Sequence, residues 1–236
     1  MPKIVILSDT HGMHRQLTHI LPDADIIVHA GDFANRGSME ECMKALGWFN
    51  ALPYKYRICI AGNHDLFMDV DHLDFPSTPS AIDAILPKAE GFFYLNDSGC
   101  EVEGIKFWGS PVQPEFFNWG FNRMRGPQIQ EHWDKIPEGT DVLITHGPAY
   151  GFVDECPDFT NPKATVRVGC ANLAKTIAKI KPKLHICGHV HWSYGHAYTK
   201  DTLYVNGSIC TERYAPTNKP IMVDYLETGC NIIHLF

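Results

Sequence analysis

Several common signatures of binding or targeting are missing from this 236-residue sequence. Its 8 cysteines include no C-x-x-C pair, which argues against a thiolate zinc site. No apolar run approaches the ~18 residues that a membrane-spanning helix needs, and the first residues do not resemble a signal peptide. No block of like charge occurs and the net charge is −7, which argues against a basic surface for nucleic acid or for anionic membranes. We therefore expect a cytoplasmic protein with reduced, buried thiols.

The composition is that of a globular chain. Hydrophobic residues make up 44% of the sequence, which is enough to bury a substantial core. The sequence shows no internal repeat and no linker, so we expect a single domain over residues 1–236. The 13 histidines are a high count, and their spacing decides which of them have a chemical role.

Short apolar runs between turn residues predict strands that are buried on both faces. They lie at 3–8, 25–30, 56–60, 105–110, 141–145, 184–188, 203–206, 221–225 and 231–235. The capping box Ser38-Met-Glu-Glu41 opens a predicted helix that ends before Pro53, and a second helix is expected over 170–180. This order favours a layered α/β fold with two packed sheets, in which 203–235 forms a β-meander. Segments 111–130 and 148–168 lack periodicity, and we expect them to be loops that wall a site.

Five polar blocks share one feature, which is that each follows an apolar strand. They place Asp, Asn or His just beyond the carboxyl end of that strand: Ser8-Asp-Thr-His11-Gly, Gly31-Asp32-Phe, Gly62-Asn63-His64-Asp65, Thr145-His146-Gly-Pro and Gly188-His189-Val-His191. Loops beyond the carboxyl ends of parallel strands are where α/β sheets assemble ligand sites. We therefore expect these blocks, which are far apart in sequence, to converge on one site.

The types and spacing of these residues favour metal binding. In the Asp-x-His and His-x-His pairs, the i, i+2 spacing points both side chains the same way along an extended backbone. The donors are oxygen and nitrogen without thiolate, a set that suits Mn, Fe, Zn or Ni. They are too many for one ion that must still bind water, so we expect two ions ~3.5–4 Å apart that share a carboxylate. The seven predicted ligands are Asp9, His11, Asp32, Asn63, His146, His189 and His191.

The charge of such a cluster indicates what it would attract. Two divalent ions, the carboxylates of Asp9 and Asp32 and one bridging hydroxide sum to about +1, which would attract a phosphoryl anion. His64 has no place in the ligand set. It could protonate the leaving oxygen as a general acid, or it could orient Asn63 or a neighbouring backbone group.

Taken in this order, the five blocks resemble the calcineurin-like metallophosphoesterase superfamily from Asp9 to His191. Longer stretches at 30–35, 60–65, 109–114 and 183–189 are most similar to the small metallophosphoesterase-domain-containing family, which is related to class III cyclic-nucleotide phosphodiesterases. Some members of that family lack the second His of Gly-His-x-His. Its presence here as His191 favours a competent site, and Asp65 stands where the family usually has Glu.

The resemblance implies a four-layer α/β/β/α sandwich of two mixed sheets flanked by helices, with a dinuclear metal centre. Manganese is the ion we expect, with iron, zinc or nickel as alternatives. The resemblance assigns the residues by motif position: Asp9, His11 and His191 to one metal, Asn63, His146 and His189 to the other, Asp32 as the bridge and His64 as the general acid.

Further residues are candidates for substrate contact. Asn35 and Arg36 follow Asp32 and could bind a substrate phosphate, although a solvated turn is the competing interpretation. Asn206 ends another strand in Val-Asn-Gly-Ser and could reach the substrate or form a turn. Several residues of the two loops could surround a nucleobase, with core packing as the simpler alternative for the first four: Phe116, Phe117, Trp119, Phe121, Phe152, Asp154 and Arg167.

The predicted function is a metal-dependent phosphodiesterase in which a metal-bridging hydroxide attacks a small phosphodiester such as a cyclic nucleotide. The ligand set is also compatible with a phosphomonoesterase or a protein phosphatase. The competing hypothesis is not an enzyme: it is a scaffold that kept the fold, lost catalytic turnover and binds a protein partner. An amidohydrolase-type enzyme is disfavoured, because its His-x-His pair would come first in the chain. The partner we expect is a small phosphoester, with nucleotides among the candidates, and neither a long nucleic acid nor a membrane.

Overall fold

The computed structural model describes residues 1–233, which form four α-helices and sixteen strands. The helices are α1 (Met39–Asn50), α2 (Pro79–Ile85), α3 (Pro127–Trp133) and α4 (Ala171–Ile180). The strands are β1 (Lys3–Leu7), β2 (Ile26–Ala30), β3 (Tyr56–Ile60), β4 (Phe92–Tyr94), β5 (Ser98–Val102), β6 (Ile105–Ser110), β7 (Gln113–Pro114), β8 (Asn122–Arg123), β9 (Val142–Thr145), β10 (Glu155–Asp158), β11 (Asn161–Arg167), β12 (Leu184–Cys187), β13 (Gly195–Tyr198), β14 (Leu203–Asn206), β15 (Ile221–Leu226) and β16 (Gly229–Ile233).

Most of the strands form two six-stranded mixed sheets. The first sheet has the order β16–β15–β1–β2–β3–β4 and is parallel from β1 to β4, while β15 and β16 pair antiparallel at its edge. The second sheet has the order β13–β14–β12–β9–β6–β5, with four parallel strands in its centre and an antiparallel strand at each edge. The parallel strands of each sheet therefore end along one common edge of that sheet.

The two sheets pack face to face between two layers of helices. Strand β1 shows the principle: Ile4 and Ile6 point into the core between the sheets, whereas Val5 and Leu7 point outward into the core beneath α1. Helices α3 and α4 cover the outer face of the second sheet through Trp133, Ile177 and their neighbours. Burial on both faces explains why these strands are continuous apolar runs. The expected four-layer α/β/β/α architecture is confirmed.

The helix predictions follow from local signals that the structure preserves. The Ser38 hydroxyl accepts a hydrogen bond from the Glu41 backbone at 3.3 Å, and the Glu41 carboxylate accepts one from the Ser38 backbone at 3.4 Å. This capping box satisfies two backbone donors at the start of α1. Helix α4 begins after Cys170 and ends at Ile180, and the next residue, Lys181, adopts a left-handed conformation before Pro182.

The predicted strands all occur, but the β-meander over 203–235 is wrong. Strand β14 lies in the second sheet beside β12, whereas β15 and β16 form a hairpin in the first sheet. Between them the chain crosses from one sheet to the other, where Ser208 pairs with Ser8. Apolar runs report strands but not the sheet to which each strand belongs. The end of the predicted strand 231–235, at 234–235, lies outside the described residues.

The expectation of irregular loops at 111–130 and 148–168 is also wrong in part. The second segment contains the antiparallel hairpin β10–β11, and the first contains the short pair β7–β8 and the start of α3. Residues of β11 are mostly exposed, so the hairpin lacks the alternation of apolar and polar residues by which a half-buried strand is recognised. Among residues 1–233, no helix combines the length and apolar character that crossing a membrane requires.

Candidate metal centre

The five polar blocks converge at the carboxyl ends of five parallel strands. Three blocks follow the adjacent strands β1, β2 and β3 of the first sheet, and two follow the adjacent strands β9 and β12 of the second. Because the sheets pack face to face, the two sets of loops meet above the core. The structure brings together all seven predicted ligands and His64.

The backbone at these strand ends is unusual. Asp9, His11, Asp32 and His189 have φ values of 53°, 43°, 56° and 66°, in the left-handed region that residues other than glycine rarely adopt. Such conformations persist only where surrounding contacts enforce them, and they are concentrated at functional sites. Here the first two loops are joined by backbone hydrogen bonds from Asp9 to Gly31 at 2.9 Å and from His11 to Asp32 at 3.0 Å.

One group of donors consists of Asp9, His11 and His191. The Nε2 atoms of His11 and His191 are 3.2 Å apart, and His191 Nε2 is 3.2 Å from Asp9 Oδ1. Asp32 Oδ2 lies 3.8 Å from His11 Nε2, at the border of this group. Three side chains that converge from strands β1 and β12 could therefore hold one metal ion.

The other group consists of Asn63, His146 and His189. Asn63 Oδ1 lies 2.9 Å from His146 Nε2 and 2.7 Å from His189 Nδ1. Asp32 Oδ2 is 3.4 Å from His146 Nε2, so the Asp32 carboxylate lies between the two groups. Seven donors thus form two groups with one shared carboxylate, an arrangement that could hold two ions.

Two of the four histidines, His146 and His191, are oriented as metal ligands usually are. His146 Nδ1 donates to the carbonyl oxygen of Ala30 at 2.9 Å, and His191 Nδ1 donates to that of Thr211 at 3.0 Å. Because a carbonyl oxygen can only accept, these bonds place a proton on Nδ1 and direct Nε2 towards the other donors. A backbone carbonyl that fixes the far nitrogen of a ligating histidine is a recurrent feature of metal sites.

The electrostatics of the site also suit a cation. Burial opposes ionisation of Asp9 and Asp32, but the charges and hydrogen bonds of His191 and His146 outweigh it and hold both carboxyl pKa values below their usual range. Burial lowers the pKa of His189 to about 3, so its imidazole is neutral and can act as a ligand. Burial also lowers the pKa of His146, yet Asp32 outweighs it and raises that pKa to about 9. Without a metal, a proton therefore stabilises the His146–Asp32 pair.

Asp65 joins the loops that follow β2 and β3. It is fully buried, and its carboxylate accepts hydrogen bonds from backbone N–H groups of both loops. The donors and distances are Asp32 at 2.9 Å, Phe33 at 3.4 Å, Ala34 at 2.8 Å and Gly62 at 2.8 Å. The short side chain of Asp is therefore sufficient at this position, and it places Asp32 next to the Asn63 block.

Two glycines allow the loops to approach the carboxylates. A Cβ atom at Gly188 would lie 2.1 Å from Asp9 Oδ2, and one at Gly62 would lie 2.3 Å from Asp32 Oδ1. Each carboxylate is therefore in direct contact with the backbone of a residue that has no side chain. This explains why the Asn63 and His189 blocks each begin with glycine.

His64 lies beside the two groups, at a distinct position. Its Nδ1 donates to the carbonyl oxygen of Asn35 at 2.8 Å, and its backbone N–H donates to Asp32 Oδ1 at 2.7 Å. One ring nitrogen of His64 lies within 4.8 Å of donor atoms of His11 and Asp32. Since Nδ1 is engaged by Asn35, Nε2 is the nitrogen that is available to a substrate.

Aromatic side chains surround the opening of the site. Trp119 stacks on His64. Phe116 meets His189 edge to face with 5.3 Å between the ring centroids, and Tyr214 meets His11 edge to face with 4.7 Å between them. Phe116 and Tyr214 are each 45% exposed, so their rings are accessible to a ligand. Phe121, by contrast, is buried in the core beneath the loop.

The segment 207–220 contributes site residues that no sequence motif indicates. Besides Tyr214, it supplies the Thr211 carbonyl oxygen that orients His191 and the Ser208 hydroxyl, 2.9 Å from Asp9 Oδ2. One sequence feature could have indicated this segment: Asn206-Gly207 is a sixth strand end at which a polar residue lies next to a glycine, as in the five polar blocks.

The candidate substrate residues differ in their positions. Asn35 and Arg36 are exposed on the loop that follows Asp32. Asn206 is fully buried below the site, where its amide donates to the Val190 carbonyl oxygen at 2.9 Å and its Oδ1 accepts from the Ser208 backbone at 3.1 Å. These bonds support the loop that carries His189 and leave no exposed atom of Asn206.

The side chains of the second predicted nucleobase region contact one another and the core. The ring of Phe152 stacks on Tyr204 at 4.0 Å with an interplanar angle of 8°. The Arg167 guanidinium donates to the buried carboxylate of Asp154 at 2.8 Å. Arg167 and Asp154 therefore connect the two ends of the β10–β11 hairpin, and Phe152 packs on the core beneath α3 and α4.

A family profile described as calcineurin-like phosphoesterase matches residues 2–193, which carry all seven donors and His64. The chain belongs to this family. The human metallophosphoesterase domain-containing protein 1 is 40% identical over 236 residues, covering 94% of this chain and 70% of that protein. This phosphoesterase is therefore also similar to the small metallophosphoesterase-domain-containing family, which residues 30–35 and 183–189 indicated. The expectation of one domain over 1–236 stays a prediction, although β14–β16, beyond the profile, complete both sheets.

Solved structures share the fold of this phosphoesterase at low sequence identity. The protein TT1561 of Thermus thermophilus aligns with a TM-score of 0.62 and 12% identity, covering 98% of this chain and 97% of that one. A structure described as a novel archaeal phosphodiesterase aligns with a TM-score of 0.51 and 17% identity, covering 99% of each chain.

Proposed function

We propose that this protein is a metal-dependent phosphodiesterase that acts on a small phosphodiester. The observation that carries the proposal is the pair of donor groups that share Asp32, with His64 beside them. An arrangement that holds two cations next to a proton donor suits the displacement of an alkoxide from phosphorus. The proposed cofactor is two divalent ions, with manganese expected and iron, zinc or nickel compatible with the same donors.

Each residue has a distinct task in this proposal. Asp9, His11 and His191 would hold one ion, Asn63, His146 and His189 would hold the other, and Asp32 would contact both. The chemistry that two bound cations supply is neutralisation of phosphoryl charge and a bound water of lowered pKa.

The remaining tasks belong to residues at the opening. His64 would hold a proton on Nε2 and release it to the departing oxygen, while its Nδ1–H stays on the Asn35 carbonyl oxygen. The exposed side chains of Asn35 and Arg36 would contact the phosphate or an arm of the substrate.

The walls of the site favour a diester over a monoester. The half-exposed rings of Phe116 and Tyr214 contact the site histidines, and they offer apolar and stacking surface to substituents on phosphorus. A diester has two such substituents and a single negative charge. The archaeal neighbour described as a phosphodiesterase supports the same choice.

The net charge of −7 favours a small substrate, a nucleotide among the candidates, because a long nucleic acid would be repelled away from the metal centre. We propose that the protein acts in the cytoplasm on such a molecule.

Chelator treatment followed by metal addition tests the proposal. The stripped protein should be inactive, and Mn²⁺ should restore hydrolysis of bis(p-nitrophenyl) phosphate in preference to p-nitrophenyl phosphate. Asp32→Asn should lose metal binding and activity, whereas Asp23→Asn, the same change at an exposed carboxylate, should retain both. If the metal-loaded protein cleaves no phosphoester, the enzyme proposal fails and a binding scaffold becomes the better account. Faster cleavage of the monoester would instead favour a phosphomonoesterase.

A further inference from the structure

The ring of His64 is enclosed between two other rings. Trp119 stacks on it with a centroid distance of 4.0 Å and an interplanar angle of 26°. His11 meets it edge to face at 4.6 Å and 79°. A stacked indole leaves no room on that face for water or for rotation of the imidazole out of its plane.

The hydrogen bond of His64 alone would not fix the ring. The Nδ1–H donates to the Asn35 carbonyl oxygen at 2.8 Å, and this bond defines one point of the imidazole. Rotation about the Cβ–Cγ bond of a histidine has a broad energy profile, so a ring held at one point can still tilt about it. A tilt would displace Nε2, which is the atom that must face the leaving oxygen. The flat face of Trp119 restricts this motion.

The position of Trp119 is itself strongly determined. The residues on either side of it are hydrogen-bonded to the loop that follows Asn63. The Gly120 N–H donates to the Asn63 carbonyl oxygen at 3.0 Å, and the Phe121 N–H donates to the Asp69 carboxylate at 2.6 Å. The Asn118 carbonyl oxygen accepts from His72 Nε2 at 3.3 Å.

Glycine at position 120 permits this close approach. A Cβ atom there would lie 3.2 Å from the Asn63 carbonyl oxygen, so the two backbones are in contact. The segment that carries Trp119 and the loop that carries Asn63 and His64 therefore form one unit. An indole whose backbone is held by three hydrogen bonds, at residues 118, 120 and 121, can act as a rigid support.

We propose that Trp119 is a positioning residue that holds the His64 imidazole in the orientation needed to protonate the leaving group; this inference rests on the proposed function. Trp119 acts through His64 and does not bind the metal ions. Its contribution is therefore greatest for substrates whose leaving oxygen needs a proton.

Leaving-group dependence tests the inference. Diphenyl phosphate has a basic leaving group that depends on a general acid, whereas the p-nitrophenolate of bis(p-nitrophenyl) phosphate departs with little help. Because misplacing a catalytic group by ~1 Å can cost ~100-fold in rate, Trp119→Leu should lower kcat on diphenyl phosphate by ~10–100-fold. The loss on bis(p-nitrophenyl) phosphate should be several-fold smaller, and KM for both should be unchanged. Trp119→Phe, which retains a stacking face, should recover most of kcat.

A double-mutant comparison identifies the residue through which Trp119 acts. If it acts through His64, adding Trp119→Leu to His64→Gln should lower kcat no further than His64→Gln alone. Trp48→Leu is the matched control, since Trp48 is also half-buried and contacts another histidine, His14, at 5.0 Å. This control should leave kcat unchanged on both substrates.

A readout that needs neither metal nor substrate completes the test. In the metal-free protein, the ring current of Trp119 should shift the side-chain proton resonances of His64 upfield, and Trp119→Leu should remove that shift. Equal losses of kcat on both substrates, or additive losses in the double variant, would overturn the positioning role. If His64→Gln itself leaves kcat unchanged, the acid role in the proposed function fails as well. If His64→Gln lowers kcat and Trp119→Leu does not, only the present inference fails.

Discussion

Replacing Gly188 by Ala tests whether close backbone packing sets the geometry of the candidate metal centre. The added Cβ would lie 2.1 Å from both Asp9 Oδ2 and Ser8 Oγ. Ordinary contacts between heavy atoms are ~3.5 Å, so the Asp9 carboxylate or the loop must move by ~1.4 Å. The φ angle of Gly188 lies outside the left-handed region, so alanine adds this steric conflict and no backbone strain.

The expected effect is larger on metal binding than on stability. Forcing an extra methyl group into a packed site costs ~1–3 kcal/mol of unfolding free energy. Metal–ligand distances tolerate only ~0.2 Å, so a displaced Asp9 should bind poorly. We expect the affinity for Mn²⁺, measured by titration calorimetry, to fall by at least ~10–100-fold, which is the usual penalty for disturbing the surroundings of a metal ligand.

Gly47→Ala provides the control for this experiment. Gly47 lies inside α1, and a Cβ there meets no atom within 4 Å. The variant should gain ~1 kcal/mol of stability from the higher helix propensity of alanine, with unchanged Mn²⁺ affinity. If Gly188→Ala binds Mn²⁺ as tightly as the unmodified protein, the contact between the His189 loop and Asp9 does not shape the site, and the reasoning fails.

Three further substitutions test other parts of the structure. Asp65→Asn replaces one of the two carboxylate oxygens that accept hydrogen bonds from the backbone of two loops. The free energy of unfolding, measured in urea, should fall by ~3 kcal/mol, and Mn²⁺ should bind more weakly. Wild-type stability and Mn²⁺ affinity would contradict the role of Asp65 in joining the loops. Burial lowers the pKa of His185 to about 3, so between that pH and ~6.5 the unfolded chain binds one more proton and acidification destabilises the fold. His185→Gln should reduce the stability lost between pH 7.5 and pH 5 by ~2 kcal/mol, whereas parallel pH profiles would refute this. Tyr225→Phe removes a hydroxyl that bonds Asp141 at 2.8 Å and Lys183 at 2.9 Å across the two sheets, which should cost ~1–2 kcal/mol without altering Mn²⁺ affinity, and a change in affinity would contradict its structural role.

The positions of the candidate metal donors could be predicted because their signals are local. Each block combines an apolar run, a glycine and a polar donor within a few residues, and parallel strands place their carboxyl ends on one edge. The order of the five blocks then added a family resemblance that the comparisons confirm. The pairing of donors, in which Asn63 faces His146 and His189, came from the resemblance, because spacing alone does not determine which loops meet.

Segment 207–220 could not be interpreted in the same way. It crosses from the second sheet to the first, and its contributions to the site are a carbonyl oxygen, a hydroxyl and one aromatic ring without periodic spacing. Contacts of this kind depend on tertiary packing. The same limit explains Asn206, whose place in the sequence suggested substrate contact but whose side chain is buried and hydrogen-bonded to the loop around Val190.

Metal stoichiometry tests the central claim most directly, since the proposal requires two ions on donor groups that share Asp32. Purified protein should be stripped with chelator, reloaded with Mn²⁺, freed of excess metal and measured by elemental analysis, with Asp32→Asn and Asp23→Asn treated alongside. We predict two Mn²⁺ ions per chain in the unmodified protein and in Asp23→Asn, and fewer than one in Asp32→Asn. A single ion per chain, or two ions retained without Asp32, would contradict the account.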